Sequence, residues 1–148
     1  MKNDVKIEHR LPTVAEFIKL RSQTDWGVPE PHVVAAVLNR SFSGIVAIDG
    51  VQTIGMARTV GDGHLILYIQ DVIIAAAYRK QGVGRRLIEA LLAALDENCA
   101  KDCTVGLFAA IGQTAFYGKL GFSERGNKAY GPGMHGTLSE LAKPRSEA

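Results

Sequence analysis

The chain has 148 residues, of which 47% are hydrophobic and 22% charged, and its formal net charge at pH 7 is +2. These values predict one globular domain over residues 1–148 and exclude a disordered or fibrous chain. The small net charge gives no reason to expect nucleic acid or a membrane as a partner. No apolar run approaches the ~18 residues of a membrane span, the first residues lack a secretory pattern, and two cysteines alone form no metal site, so we expect a cytoplasmic protein without a metal.

The first elements are predicted from turn and capping signals. Residues 5–9 alternate between apolar and polar side chains as in a short strand. Thr13 and Glu16 have the spacing of a capping box and predict a helix through about Arg21. Pro31 suits the first turn of a second helix, because its missing N–H would be unpaired there.

A hairpin and a longer strand are predicted next. Residues 44–60 form two strand-like runs joined by Asp49-Gly50, a favoured pair for a tight turn. After a second turn at 61–63, residues 65–74 are almost entirely apolar and predict a buried strand.

The second half of the chain alternates strand and helix. Residues 104–110 predict another apolar strand, a short helix ends in the segment 115–122, and the Gly/Pro-rich tail ends in a predicted last strand. Antiparallel strands followed by strand–helix–strand–helix predict an α/β fold with a mixed, mostly antiparallel central sheet flanked by helices.

The stretch after residue 74 leads into a long amphipathic helix with two glycines at its start. Its predicted apolar face consists of Val83, Leu87, Ile88, Leu91, Leu92 and Leu95. The first N–H groups of a helix lack partners, and Gly82 and Gly84 let an anion approach them. Positive charge comes from four nearby residues: Arg79, Lys80, Arg85 and Arg86. The pattern favours an anion site.

Other interpretations of the glycine turn are a tight packing turn with solvated basic residues, or a nucleotide loop. A dinucleotide fingerprint needs a third glycine where Leu87 stands, directly after a strand. A Walker A loop needs Gly-Lys-Ser or Gly-Lys-Thr, which the sequence lacks. Both nucleotide patterns fail.

Arg79-x-x-Gly82-x-Gly84 resembles the acyl-CoA pyrophosphate signature of the GNAT superfamily of N-acetyltransferases. The segment AFYGKLGF, residues 115–122, is similar to a second motif of that family, and the predicted element order also fits. The resemblance covers most of the chain. It implies an acyl-CoA N-acyltransferase fold with acetyl-CoA as the acyl-donor cosubstrate.

The resemblance also implies how the cosubstrate binds. The pantetheine arm would lie along the main chain of the strand before the signature, as an added strand, and the diphosphate on the amides of the turn. Val72 and Ile74 can pack in the core at the same time, because only their backbones are involved. The implied cofactor-binding residues are Val72, Ile73, Ile74, Arg79, Lys80, Gln81, Gly82, Val83, Gly84 and Arg85.

Tyr117 matches the family tyrosine that protonates the departing CoA thiolate, which a phenol with a pKa of about 10 can do. The alternative interpretation is that Tyr117 forms an aromatic packing pair with Phe116. Two positions depart from the family pattern: Ala110 replaces an asparagine, and Tyr68 replaces a glutamate base. Asp71 is expected to point to the face of the strand opposite Val72 and to form structural hydrogen bonds. The base that deprotonates the amine is therefore unassigned.

The acceptor site is implied by the loop between the first two helices and by the last loop. These supply Trp26 and then Tyr130, Met134 and His135, the last being the one histidine considered as a base. Aromatic walls suit an apolar or aromatic acceptor, although a lone tryptophan is more often a core residue.

The resemblance implies an acetyl-CoA-dependent N-acetyltransferase that acts on a primary amine of a small molecule or peptide by direct transfer. The expected partners are acetyl-CoA and the amine, and a homodimer is expected. The alternatives are a catalytically silent acyl-CoA-binding sensor or interaction module on the same fold, and a nucleotide-binding fold without CoA. The sequence leaves the identity of the acceptor open.

Overall fold

The computed structural model describes residues 4–144, which form two compact units, one ending at Phe108 and one beginning at Ala109. The first unit contains β1 (Val5–Glu8), α1 (Val14–Arg21), α2 (Pro31–Asn39), β2 (Ser43–Asp49), β3 (Gln52–Gly61), β4 (Ile66–Ile74), a 3₁₀ turn (Ala76–Tyr78), α3 (Val83–Asn98) and β5 (Thr104–Gly106). The second contains α4 (Thr114–Lys119) and α5 (Leu138–Leu141). The single domain over residues 1–148 stays a prediction.

The five strands form one sheet in the order β1-β2-β3-β4-β5. Neighbouring strands are antiparallel except β4 and β5, which are parallel and joined through α3. A parallel pair needs such a crossover, because a tight turn cannot bring the chain back in the same direction. The predicted fold, a mixed and mostly antiparallel sheet flanked by helices, is confirmed. None of the helices in residues 4–144 has the length and apolar character needed to cross a membrane.

The β2–β3 hairpin turns one residue later than predicted. Asp49 is still paired, opposite Gln52, so the loop consists of Gly50 and Val51. Gly50 has φ +63°, a conformation that glycine adopts without the steric cost borne by other residues. Asp49 also accepts a hydrogen bond from the Tyr78 hydroxyl, a contact that the local turn pattern does not contain.

The core contains the apolar face of α3, which contacts β2, β3 and β4. Its buried residues are Val83, Leu87, Ile88, Leu91 and Leu95, whereas Leu92, predicted on the same face, is only half-buried. Each fully buried leucine or isoleucine contributes about 1.5–3 kcal/mol by leaving water. This packing fixes the start of α3 close to the sheet.

Two predictions for the later chain are wrong. β5 ends at Gly106 instead of residue 110, and the next amide beyond Leu107, that of Phe108, donates to the Tyr68 hydroxyl at 3.0 Å. The predicted last strand is instead α5, which Thr137 caps by accepting from the Glu140 amide at 3.3 Å. Thr137 and Glu140 have the same spacing as Thr13 and Glu16, so a helix signal was present in the sequence.

The predicted capping box of α1 is confirmed. Glu16 accepts from the Thr13 amide at 2.7 Å, and the Thr13 hydroxyl accepts from the Glu16 amide at 3.1 Å. Glu16 also receives two hydrogen bonds from Arg10, at 2.8 and 3.0 Å, and one from the Thr53 hydroxyl. The Arg10 guanidinium is the main cause that lowers the pKa of Glu16 from 4.5 to about 2.

Replacing Glu16 by glutamine should lower the free energy of unfolding by about 2 kcal/mol at neutral pH. The glutamine can still cap α1, but it loses the charge-assisted hydrogen bonds. The figure allows for the weaker electrostatic interaction of a partly exposed side chain. Since the folded-state pKa is depressed, the contribution is present above pH 4.5 and is lost as the pH falls toward 2. Urea unfolding of both proteins at several pH values should therefore show the difference closing in acid.

Glu8 provides the matched control, because it also pairs with Arg10, at 3.1 Å, but its side chain is 52% exposed against 21% for Glu16. Glu8→Gln should change stability by less than about 0.5 kcal/mol. Equal losses of unfolding free energy in the two variants would contradict the prediction that the less exposed Glu16 stabilises the fold more than Glu8.

Candidate functional site

The edge of β4 that faces β5 is paired only at its beginning. Residues 66–68 lie opposite β5, and the parallel pairing ends there. On the other side β4 stays paired with β3 as far as Ile74 opposite Gly55. In the part of the chain that the structure describes, the β4 backbone from Val72 to Ile74 thus has one edge without a strand partner. Such an edge can bind an extended chain that carries amide groups.

A bulge lies at the start of this unpaired edge. Asp71 and Val72 both face Ala57 of β3, so the register shifts there. Asp71 has φ +57°, a left-handed conformation that aspartate tolerates better than most residues. The Asp71 side chain is buried, whereas Val72 is half-buried. The bulge fixes which face of the strand each of the two side chains occupies.

The Asp71 carboxylate is held by two arginines from different elements. Arg21, the last residue of α1, donates to one oxygen at 2.6 Å, and Arg58 of β3 donates to the other at 2.7 Å. Only 1% of the Asp71 side chain is exposed. A buried carboxylate requires this kind of pairing, because an unpaired charge would be costly to desolvate. The prediction that Asp71 is a structural hydrogen-bonder is confirmed.

The turn between β4 and α3 has the backbone of an anion-binding loop. Lys80 has φ +61° and Gly82 has φ +81°, and α3 starts directly afterwards at Val83. Alternating left-handed residues orient successive N–H groups toward one concave side. Among the described residues no side chain caps α3, so its first amides and the positive end of its dipole remain available to an anion.

The four basic side chains at this turn differ in their contacts. Arg79 donates to the Ile74 carbonyl at 2.9 Å, and Arg86 donates to the Val5 carbonyl of β1 at 2.8 Å. All four residues are exposed, and Arg85 pairs with Glu89 one helical turn away at 3.3 Å. Arg79 and Arg86 therefore brace the loop and the helix, while all four residues place positive charge at the surface of the turn.

Of the predicted acceptor residues, Trp26 belongs to the first unit. It lies in the loop between α1 and α2, and 44% of its surface is exposed. The Arg21 guanidinium lies 5.7 Å from the centroid of its ring. Trp26 is therefore a surface residue of this unit, which leaves area for contact with a ligand.

Tyr117 belongs to the second unit and lies in α4. Its ring is half-buried and packs edge-on against Phe116 at 5.0 Å and Phe122 at 5.9 Å. The Tyr117 carbonyl accepts from the Leu120 and Phe122 amides at 3.0 and 3.1 Å, which ends the helix. These contacts hold the phenol ring in place and fit both the predicted acid and the alternative aromatic pair.

The remaining predicted acceptor residues lie in the last loop. Arg125 lies 5.1 Å over the Tyr130 ring, and Asn127 accepts from the Tyr130 amide at 3.1 Å, so this tyrosine is fixed within its unit. Met134 and His135 are exposed. Ala110, where the resemblance drawn from the sequence would place an asparagine, is exposed as well.

Tyr68 stands where the resemblance drawn from the sequence would place a glutamate base. Its hydroxyl accepts from the Phe108 amide at 3.0 Å, and the two rings are 5.2 Å apart. Burial raises the pKa of Tyr68, which favours the protonated phenol over the phenolate that a base would need. The base therefore remains unassigned.

The chain is similar to known acetyltransferases in sequence family and in fold. The family model of the Acetyltransferase (GNAT) domain matches residues 28–138, and no curated protein matches the chain. A probable acetyltransferase of unknown function from meticillin-resistant Staphylococcus aureus is 23% identical with a TM-score of 0.79, covering 90% of this chain and 99% of its own.

Two further solved structures have a similar fold. A GNAT family acetyltransferase from Streptococcus pneumoniae is 22% identical with a TM-score of 0.69, covering 97% of this chain and 96% of its own. The ribosomal-protein-S18-alanine N-acetyltransferase from Escherichia coli is 19% identical with a TM-score of 0.67, covering 81% of this chain and 78% of its own. At these identities the likeness extends to the fold alone.

Proposed function

This chain belongs to the GNAT family of acetyltransferases, and we propose that it transfers an acetyl group from acetyl-CoA to a primary amine of a small molecule or peptide. The observation that carries the proposal is the unpaired edge of β4, which leads directly into the left-handed turn at the start of α3. This sequence of groups suits a ligand with an amide-bearing arm that ends in a diphosphate.

In this proposal the pantetheine arm lies along the main chain of β4 as an added strand. The diphosphate lies on the turn amides, with Lys80 and Arg85 adding charge and Arg79 bracing the turn through the Ile74 carbonyl. The proposed cofactor-binding residues are Val72, Ile73, Ile74, Arg79, Lys80, Gln81, Gly82, Val83, Gly84 and Arg85.

The proposed chemistry is direct transfer without an acyl-enzyme, since neither cysteine lies in a motif that would activate a nucleophile. The amine nitrogen bonds to the thioester carbonyl carbon, and the carbon–sulfur bond breaks. Tyr117 donates a proton to the departing thiolate, and the proton lost by the amine passes to water. The phenol then recovers its proton from solvent.

The residues proposed to contact the acceptor are Trp26 in the first unit and Tyr130, Met134 and His135 in the second. Their aromatic and apolar surfaces suit an acceptor with an apolar or aromatic group beside its amine. The homodimer and the cytoplasmic location expected from the sequence belong to the same proposal.

Incubating the protein with acetyl-CoA and a broad panel of amines should release free thiol with at least one of them, together with the acetylated amine in the mass spectrum. Acetyl-CoA should also raise the melting temperature, while NAD and ATP should not. Binding of CoA without thiol release on any amine would contradict the proposal and favour the acyl-CoA sensor. Stabilisation by NAD or ATP instead of CoA would favour a nucleotide-binding fold.

A further inference from the structure

One guanidinium fastens the loop between α1 and α2 to the sheet. Arg21 donates through Nη1 to Asp71 at 2.6 Å, through Nε to the Gly27 carbonyl at 2.8 Å, and through Nη2 to the Trp26 carbonyl at 3.2 Å. The same group lies under the Trp26 ring. All three nitrogens of the planar fork are therefore used, and two of them hold the backbone that carries Trp26.

The carboxylate that anchors this arginine is itself fixed. Asp71 stands in the β4 bulge in a left-handed conformation, and its second oxygen accepts from Arg58 at 2.7 Å. Arg58 also donates to the Ser41 hydroxyl at 3.4 Å, and Ser41 lies outside the loop between α1 and α2. Arg21 and Arg58 are similarly covered, with 17% and 15% of their side chains exposed. They differ in that Arg21 alone contacts the loop carbonyls.

The loop has a second attachment at the other end of the unpaired edge. The Gln23 side chain accepts from the Ala76 amide at 2.7 Å, and the Gln23 carbonyl accepts from Arg79 at 3.4 Å. The loop that carries Trp26 is thus attached both to the bulge and to the start of the anion-binding turn. Its position is set by the segment proposed to bind acetyl-CoA.

We propose that Arg21 is a positioning residue for the acceptor: anchored by Asp71 in the β4 bulge, it fixes the Trp26 segment as one wall of the acceptor site. This inference rests on the proposed function, because it takes Trp26 to contact the acceptor. The loop contains Gly27, whose φ of +83° is rare for residues that carry a side chain, and it lacks regular structure. Fixing it before the acceptor arrives removes an ordering cost from binding.

Lysine substitutions separate positioning from simple charge pairing. Arg21→Lys keeps a positive charge beside Asp71, so the buried carboxylate stays paired, but a single ammonium lacks the planar fork needed for both loop carbonyls. Arg58→Lys makes the same change on the other oxygen of the same carboxylate and leaves the loop contacts intact. Both variants should lose similar thermal stability.

Trp26 is the only tryptophan of the chain, so its fluorescence reports on the loop without any turnover. Arg21→Lys should increase acrylamide quenching and lower the anisotropy of Trp26, while Arg58→Lys should leave both at the wild-type values. Unchanged quenching in Arg21→Lys, or equal changes in the two variants, would overturn the proposal.

The acceptor role is read from steady-state kinetics with the amine of the panel that the wild-type protein acetylates fastest. Arg21→Lys should raise KM for that amine roughly tenfold and leave KM for acetyl-CoA within about twofold, because only the acceptor side must reorder the loop. A rise confined to acetyl-CoA would overturn the proposal. Failure of the wild type to acetylate any amine would contradict the proposed function instead, and the fluorescence comparison would still decide whether Arg21 positions the loop.

Discussion

Changing Tyr117 to phenylalanine should lower kcat by roughly 10²- to 10⁴-fold, the usual contribution of a positioned general acid. The substitution removes only the hydroxyl, so the edge-on contacts with Phe116 and Phe122 should persist. Acetyl-CoA affinity, measured by calorimetry, and the melting temperature should therefore change little. The kinetic defect should shrink at high pH and with a thioester whose thiol is a better leaving group, because protonation of the thiolate then matters less.

Phe116→Leu is the control for packing, since it disturbs the ring contact and leaves the Tyr117 hydroxyl in place. It should lower stability and affect kcat far less than Tyr117→Phe. An unchanged kcat in Tyr117→Phe would leave this residue as part of the aromatic packing of α4 and remove the acid from the proposed mechanism.

Gly82→Asp should weaken acetyl-CoA binding by roughly 100-fold, because a carboxylate placed against a bound diphosphate costs several kcal/mol. Gly82 has φ +81°, so any side chain there adds some backbone strain, but Asp and Asn tolerate this region best. Gly82→Asn adds a side chain of nearly the same size without the charge. The dissociation constants of both variants, measured by calorimetry, isolate the electrostatic effect.

Gly82→Asn should bind acetyl-CoA much more tightly than Gly82→Asp, and Gly84→Asp should behave like Gly82→Asp. The ratio of the acetyl-CoA dissociation constants of Gly82→Asp and Gly82→Asn should fall at high salt, because salt screens the repulsion between exposed charges. Normal binding in folded Gly82→Asp or Gly84→Asp would show that the diphosphate lies elsewhere.

The parts of the fold that depend on local chemistry were predictable from the sequence. The capping residues Thr13 and Glu16 started α1, Pro31 started α2, and the apolar period of the segment after Gly82 gave α3. Two of the errors lie where residues bond to distant groups, whereas α5 was missed although Thr137 and Glu140 have the spacing of a capping box. Asp49 stays in its strand while it binds Tyr78, and β5 stops where the chain bonds to Tyr68.

For the candidate site, the sequence supplied residue types but few of their contacts. Arg79 and Arg86 look like phosphate ligands in the sequence, yet both bond to carbonyls of the sheet. The local sequence around Arg21 does not predict its contact with Asp71, because the two residues are 50 positions apart in the chain. Local patterns cannot specify such a pair, since only the folded sheet and α1 bring the two side chains together. The roles of Tyr117 and of the acceptor residues stay predictions.

The unpaired edge of β4 also bears on how such a protein can change over evolutionary time. If the edge holds the pantetheine arm as proposed, the binding groups are peptide N–H and C=O, which every residue except proline supplies in full. Val72 and Ile74 can then be exchanged for other strand-forming residues without altering the groups that face the cosubstrate. Binding through the main chain would therefore tolerate substitutions that would abolish a site made of side chains. The acceptor loops could change in sequence independently of this binding.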